Sequence, residues 1–294
     1  MVSYFQMRTT DLHTHGIAGY DTQTTRAEEI LKIAELHGAQ GVSEIVLSVY
    51  PSAIHTMRDH MLTVAKAMDV QQAMGSRKGA ARIIGIHLEG PFLNPVQCGA
   101  LKKRFLSNPA EYTYRRLTEG FEEVVRIITI APEMPGALRL IKEVSQKGVI
   151  VNMGHSDATF AEAEAGFRAG ARGITHIFNA MRGMHHREPG IAGFGLLNRD
   201  VYIEVIADPY HLHPETLGLI FRAKDHKRIL IVSDMVKGTN TSQRPEKAIS
   251  DAKGRLLGGS MTVTESAGRL IRIGYARQMV HRCITENPRR YLNA

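Results

Sequence analysis

The sequence predicts an α/β fold, a (β/α)8 TIM-type barrel, on three observations. Apolar runs of strand type alternate with helical segments until eight strands are counted. Several runs are unbroken stretches of Val, Ile and Leu, as expected of strands buried on both faces. Acids and imidazoles that suit chemistry fall at the carboxyl ends of the first, third, fifth, sixth and eighth strands. A closed barrel brings those ends to one point, whereas the alternative, an open doubly wound sheet, spreads them by ~4.8 Å per strand. A chain of 294 residues fits one such unit, so residues 1–294 are read as a single barrel.

The first strand, Phe5–Leu12, runs into Asp11-Leu12-His13-Thr14-His15-Gly16. In extended backbone, residues i and i+2 point the same way, so His13 and His15 can share one ion. Taken alone, two loop histidines are an equal reading. A helix over Arg26–His37, a strand over Ser43–Val49 and a helix over Ile54–Met74 follow. The third strand, Arg82–Leu88, ends in Glu89, before Gly90-Pro91. An unpaired carboxylate is costly to bury, so Glu89 either meets a cation or is a solvated turn residue. With two oxygens it can bridge two ions. His87 reads as a core histidine.

Next come a helix at Pro109–Thr118, a strand at Val124–Ile130, a helix at Pro135–Lys147 and a strand at Val149–Met153. Pro109, Pro135 and Pro214 sit where a first helical turn tolerates proline. His155 follows the fifth strand, a helix spans Phe160–Ala169, and His176 closes the sixth strand, Gly173–His176. Either alone suits a structural role; together they read as ligands of one ion. The Gly-rich stretch Gly183–Gly195 reads as an active-site loop. Within it Arg187 carries a planar fork suited to phosphate, or is a plain surface group. The strand Val201–Ile206 leads to His211, which could bond substrate. The helix Pro214–Ala223 and the strand Ile229–Val232 lead to Asp234, which suits a metal ligand, a proton shuttle or both, with an N-cap as the bland alternative. After Gly258-Gly259-Ser260, Met261–Val280 reads as a helix closing the barrel.

Four imidazoles and two carboxylates make a donor set for Zn²⁺, Fe²⁺ or Mn²⁺, and two such ions need about six protein ligands. The residues alone therefore point to a metallohydrolase. The net charge of +8 is dispersed and its short basic runs lack interleaved aromatics, so no nucleic-acid partner is expected. Two distant cysteines, no secretory pattern at the start and no run of ~18–20 apolar residues point to the cytoplasm and away from the membrane.

The strings DLHTHGIAGYDT, GIHLEGPFLNP, TIAPE, GHSDAT, THIFNAM, HREPGIAG, IADPYHLHP and IVSDM follow one another from residue 11 onward. In that order they resemble the N-acetylglucosamine-6-phosphate deacetylases of the amidohydrolase superfamily. The resemblance implies a metal-dependent barrel that removes the acetyl group from an amino-sugar phosphate. It implies that Glu89, His155 and His176 hold one ion, that His13 and His15 with bridging Glu89 hold a second, and that Asp234 is the general acid/base and a possible ligand. Ala100, Asn179, Ala180, Arg187 and His211 match substrate-contacting positions. A homodimer, whose phosphate pocket also draws on the partner, is implied as well.

Two departures stand out. The family's small β-sandwich flanks the barrel in sequence, and here little chain lies outside the barrel motifs, so the sandwich is expected to be absent or vestigial. The family also has a histidine after Gly-Ala or Gly-Thr that polarises the amide carbonyl; here Leu101 follows Gly99-Ala100. Losing such a donor costs ~10²–10³ in rate, unless a second ion acts as Lewis acid. Three functions stay open at this point: this deacetylase, an amidohydrolase for another N-acyl amino-sugar phosphate, and a weakened sugar-phosphate-binding paralogue.

Overall fold

The computed structural model describes residues 8–75, 79–240 and 248–293. Eight strands pair in parallel in chain order: β1 (Thr10–Thr14), β4 (Glu44–Val49), β5 (Arg82–Leu88), β6 (Val125–Ile130), β7 (Ile150–Met153), β8 (Gly173–Ile174), β9 (Tyr202–Ile206) and β10 (Ile229–Val232). β10 meets β1 without a ladder within the strands: Asp234 N–H donates to His13 O at 2.8 Å, and Met235 bridges Thr14. The sheet is thus a nearly closed barrel. The only further sheet among the described residues is an antiparallel ribbon of β2 (Gly16–Ile17) and β3 (Tyr20–Asp21).

The strands form where unbroken apolar runs bury both faces. Inside the barrel, Leu12, Val46, Ile127, Ile150, Tyr202, Ile206, Leu230 and Val232 make one cluster. A larger cluster fills the layer between strands and helices α1 (Ala27–Ala39), α2 (Ile54–Met74), α3 (Glu111–Thr118), α4 (Ala137–Gln146), α5 (Phe160–Arg168) and α7 (Pro214–Ala223). Observed element ends fall within two residues of most expected ones. The start of the first strand, Phe5 to Met7, lies outside the described residues.

Two expectations need correction. The segment read as a Gly-rich active-site loop holds a helix, α6 (Gly190–Leu197), with Gly190 through Leu196 all buried. Its glycines serve packing: a Cβ on Gly193 would lie 2.3 Å from Pro189 Cβ, and one on Gly195 2.7 Å from Ile174 Cδ1. The segment Met261–Val280, expected as one helix, holds α8 (Val263–Arg272) and the start of α9 (Arg277–Ile284), and a further helix, α10 (Glu286–Leu292), follows it. Gly274, at φ +105°, breaks the first from the second. α10 then carries Tyr291, fully buried, into the interior cluster.

Candidate metal centre

β1 and its continuation place His13 and His15 on one side of the chain, with their Nε2 atoms 3.3 Å apart. Glu89, just past β5, reaches all four predicted imidazoles. Its Oε1 lies 3.1 Å from His155 Nε2, 3.2 Å from His176 Nε2 and 3.5 Å from His13 Nε2, and its Oε2 lies 3.2 Å from His15 Nε2. Asp234 Oδ1 stands 3.4 Å from His13 Nε2 and 3.5 Å from His15 Nε2. The six residues form two groups that share Glu89: His13, His15, Glu89 and Asp234, and Glu89, His155 and His176. Backbone conformation contributes. His155, His176 and Asp234 have φ of +46°, +29° and +48°. Each turns sharply at its strand end, and such strained conformations gather where a side chain must be aimed.

The chemistry of this donor set fits a cation. His155 Nδ1 donates to Gln97 O at 2.9 Å, so a neutral ring presents a bare Nε2 to Glu89 and to His176 Nε2, 3.2 Å away. His13 Nδ1 lies 3.1 Å from the Glu204 carboxylate, which sets the same tautomer. Lone pairs facing lone pairs and carboxylate oxygens need a proton or a metal ion between them. Burial opposes the charge on Glu89, but the imidazole contacts outweigh it and hold its carboxyl well below the usual range. Burial likewise opposes a charge on His13, yet Asp234, Glu204 and Glu89 raise its pKa well above the ordinary value.

Beneath the cluster, His87 bonds with Ser48 Oγ at 3.1 Å and Thr129 Oγ1 at 2.8 Å. Burial pushes its pKa well below the usual value, so it stays a neutral core histidine. Glu133 holds the His155 turn from outside, accepting from Ser156 Oγ at 2.7 Å and Asp157 N–H at 2.6 Å.

The cluster floors a cavity of about 620 Å³, within the range of small-molecule sites. Ala100, Asn179, Ala180 and His211 line it with His15, Glu89, His155, His176 and Asp234. His13 does not; it sits behind, fully buried. His211 Nδ1 bonds the Asp208 carboxylate at 3.0 Å, leaving the other ring nitrogen for the cavity. Burial raises the Asp208 pKa, but His211 and backbone N–H groups outweigh it and hold it well below the usual range; Asp208 in turn raises that of His211 against its own burial. Leu101 lines the cavity, as do the cations Lys102, Lys237 and Arg255. Arg187 does not. It is exposed, with Nη1 at 3.0 Å from His186 Nε2.

Sequence reasoning missed Tyr50, stacked on His15 at 3.7 Å between ring centroids, and Glu204. For Glu204 a signal existed: a lone acid inside the apolar run Tyr202–Ile206 is expensive unless it has a partner. For Tyr50 there was none.

No family model matches the sequence. Among curated proteins, the chain is 32% identical over 225 residues to an N-acetylgalactosamine-6-phosphate deacetylase of Escherichia coli O157:H7, covering 76% of this chain and 58% of that protein. An N-acetylglucosamine-6-phosphate deacetylase of Vibrio furnissii is 30% identical over 236 residues, or 78% and 56% of the two chains. The N-acetyl-D-glucosamine-6-phosphate deacetylase D267A mutant of Mycobacterium smegmatis, solved in complex with N-acetyl-D-glucosamine-6-phosphate, superposes with a TM-score of 0.87 at 26% identity, over 98% of this chain and 77% of that one. The chain therefore spans less than two thirds of the length of the curated relatives it matches.

Proposed function

Because the chain belongs to the N-acetylglucosamine-6-phosphate deacetylase family, we propose that it hydrolyses N-acetylglucosamine-6-phosphate to glucosamine-6-phosphate and acetate. One observation carries this reading: Glu89 stands within 3.5 Å of four imidazoles at the floor of the cavity.

His155, His176 and Glu89 would hold one divalent ion, and His13, His15, Glu89 and Asp234 a second. Zinc, iron or manganese suits these nitrogens and oxygens. A bound ion supplies Lewis acidity and lowers the pKa of water toward ~7. Asp234 takes the proton from the attacking water. As the C–N bond breaks, it returns that proton to the departing amine, so acetate and a free amino sugar leave. Its side chain is the most open of the six, 15% exposed, which suits a group that handles protons at the cavity wall. His211, oriented by Asp208, bonds the sugar. Asn179, Ala100 and Ala180 shape the wall around the acetyl group. Lys102, Lys237 and Arg255 make the cavity lining attractive to a phosphate.

The reading extends to the whole chain. Residues 1–294 act as one barrel unit. A homodimer forms in which Arg187, outside its own cavity, serves the phosphate of a neighbouring one. Two free, buried cysteines fit a cytoplasmic setting, and no helix among the described residues is long and apolar enough to cross a membrane.

A second substrate is favoured by one comparison, the 32% identity to an N-acetylgalactosamine-6-phosphate deacetylase. The two sugars differ at one hydroxyl, and Leu101 alters the cavity wall where a histidine was expected. The test is acetate release from both phosphates and from unphosphorylated N-acetylglucosamine. Metal-replete protein should release acetate from a phosphorylated sugar, and chelator should abolish it. Failure on both phosphates would overturn the reading.

A further inference from the structure

We propose that Glu204 is a positioning residue of the metal centre, fixing the ring of His13 and the turn of His176 from inside the barrel. The inference rests on the reading of His13 and His176 as ligands.

Tyr202, Glu204 and Ile206 alternate along β9, and both neighbours belong to the interior apolar cluster. Glu204 therefore points inward, and it is fully buried. A carboxylate there is tolerated only with every oxygen bonded. Oε1 accepts from Asn152 Nδ2 at 2.7 Å. Oε2 accepts from His13 Nδ1 at 3.1 Å and from the His176 backbone N–H at 3.3 Å. Each of these two bonds goes to a member of a different ligand group, so one carboxylate ties both groups together. Its orientation is inherited from the barrel floor. Tyr291 of α10 bonds Asn152 Oδ1, which turns the amide Nδ2 toward Glu204.

The consequence is a choice of tautomer. With Nδ1–H donated to Glu204, the neutral His13 ring presents a bare Nε2 toward Glu89 and Asp234, which is the form that binds a metal. A glutamine at this place cannot do the same. Its single carbonyl faces donors on both sides, namely Asn152 Nδ2 on one and the Nδ1–H and N–H groups on the other. If its amide turns to His13, the ring takes the tautomer with Nε2–H aimed at the ion. If it turns to Asn152, two donors collide. Swapping partners removes the conflict. In a protein carrying both Glu204→Gln and Asn152→Asp, the carboxylate introduced on β7 accepts from the new amide, and the glutamine carbonyl accepts from His13 and His176.

The test is chelator competition for Zn²⁺ on the full chain, with circular dichroism to confirm folding. Glu204→Gln should weaken binding about 10–100-fold. The double variant should recover most of that loss. In a His13→Gln background the Glu204 substitution should change affinity less than it does in the wild-type chain, because only its contact with the His176 backbone N–H is left to disturb. If Glu204→Gln binds as tightly as wild type, or if the double variant is weaker than the single, the proposal fails while the metal reading stands. A wild-type chain that binds no Zn²⁺ overturns both.

Discussion

Acid should weaken this fold through one histidine in particular. His37 of α1 is fully buried, with Nε2 3.2 Å from Thr14 Oγ1 and Nδ1 without a partner among the described residues. Burial lowers its pKa from 6.5 to about 4. The folded chain therefore keeps the ring neutral where the unfolded chain takes up a proton. His37's contribution is complete above pH 6.5 and is lost as pH falls toward 4. At about 1.36 kcal/mol per pKa unit, the loss is about 2.5 kcal/mol by about pH 4.5. Many groups titrate in this range, so the useful quantity is a difference. Urea unfolding of wild type and His37→Gln should be compared at about pH 7.5 and about pH 4.5. The variant starts less stable, but its stability should fall with acid by about 2 kcal/mol less than the wild type's. Parallel losses in the two proteins would refute the reasoning. The position has functional weight, because Thr14 separates His13 from His15.

Three further outcomes follow from the site and its supports. Leu101→His should raise kcat about 10²–10³-fold if the carbonyl of the amide lacks a donor, as measured by acetate release; an unchanged rate means another group already polarises it. Gly259→Ala should cost about 1–3 kcal/mol in denaturant unfolding and lower kcat, because its Cβ would lie 1.8 Å from Ser233 O, and Gly259 N–H donates to Asp234 O at 2.7 Å. Cys283, whose thiol burial pushes up to about 12, should resist iodoacetamide at about pH 8 in the folded protein and react once urea is added, as read by mass spectrometry.

The barrel was legible because parallel strands advertise themselves as unbroken apolar runs, and Arg82–Leu88 and Ile229–Val232 appear with the expected ends. The six strand-end residues were legible for a related reason, since a charged or imidazole side chain at the end of such a run needs a partner. What escaped was set by distant contacts. Gly190–Leu197 looks like a loop because three glycines occupy it, yet Pro189, Ile174 and Ile177 leave no space there for a Cβ. The run Tyr202–Ile206 signals that Glu204 needs a partner but not which one, because Asn152, His13 and His176 lie 52, 191 and 28 residues away. The exposed position of Arg187 depends on how its loop folds back, with His185 bridging Glu188, and no periodicity encodes that.

The central claim is that Glu89 and the strand-end histidines share a cation. Anomalous diffraction from crystals grown with Zn²⁺ tests it most directly. A peak is expected about 2.0–2.2 Å from His155 Nε2, His176 Nε2 and a Glu89 oxygen. Crystals that show protein side chains clearly but no anomalous density within reach of Glu89 would contradict it.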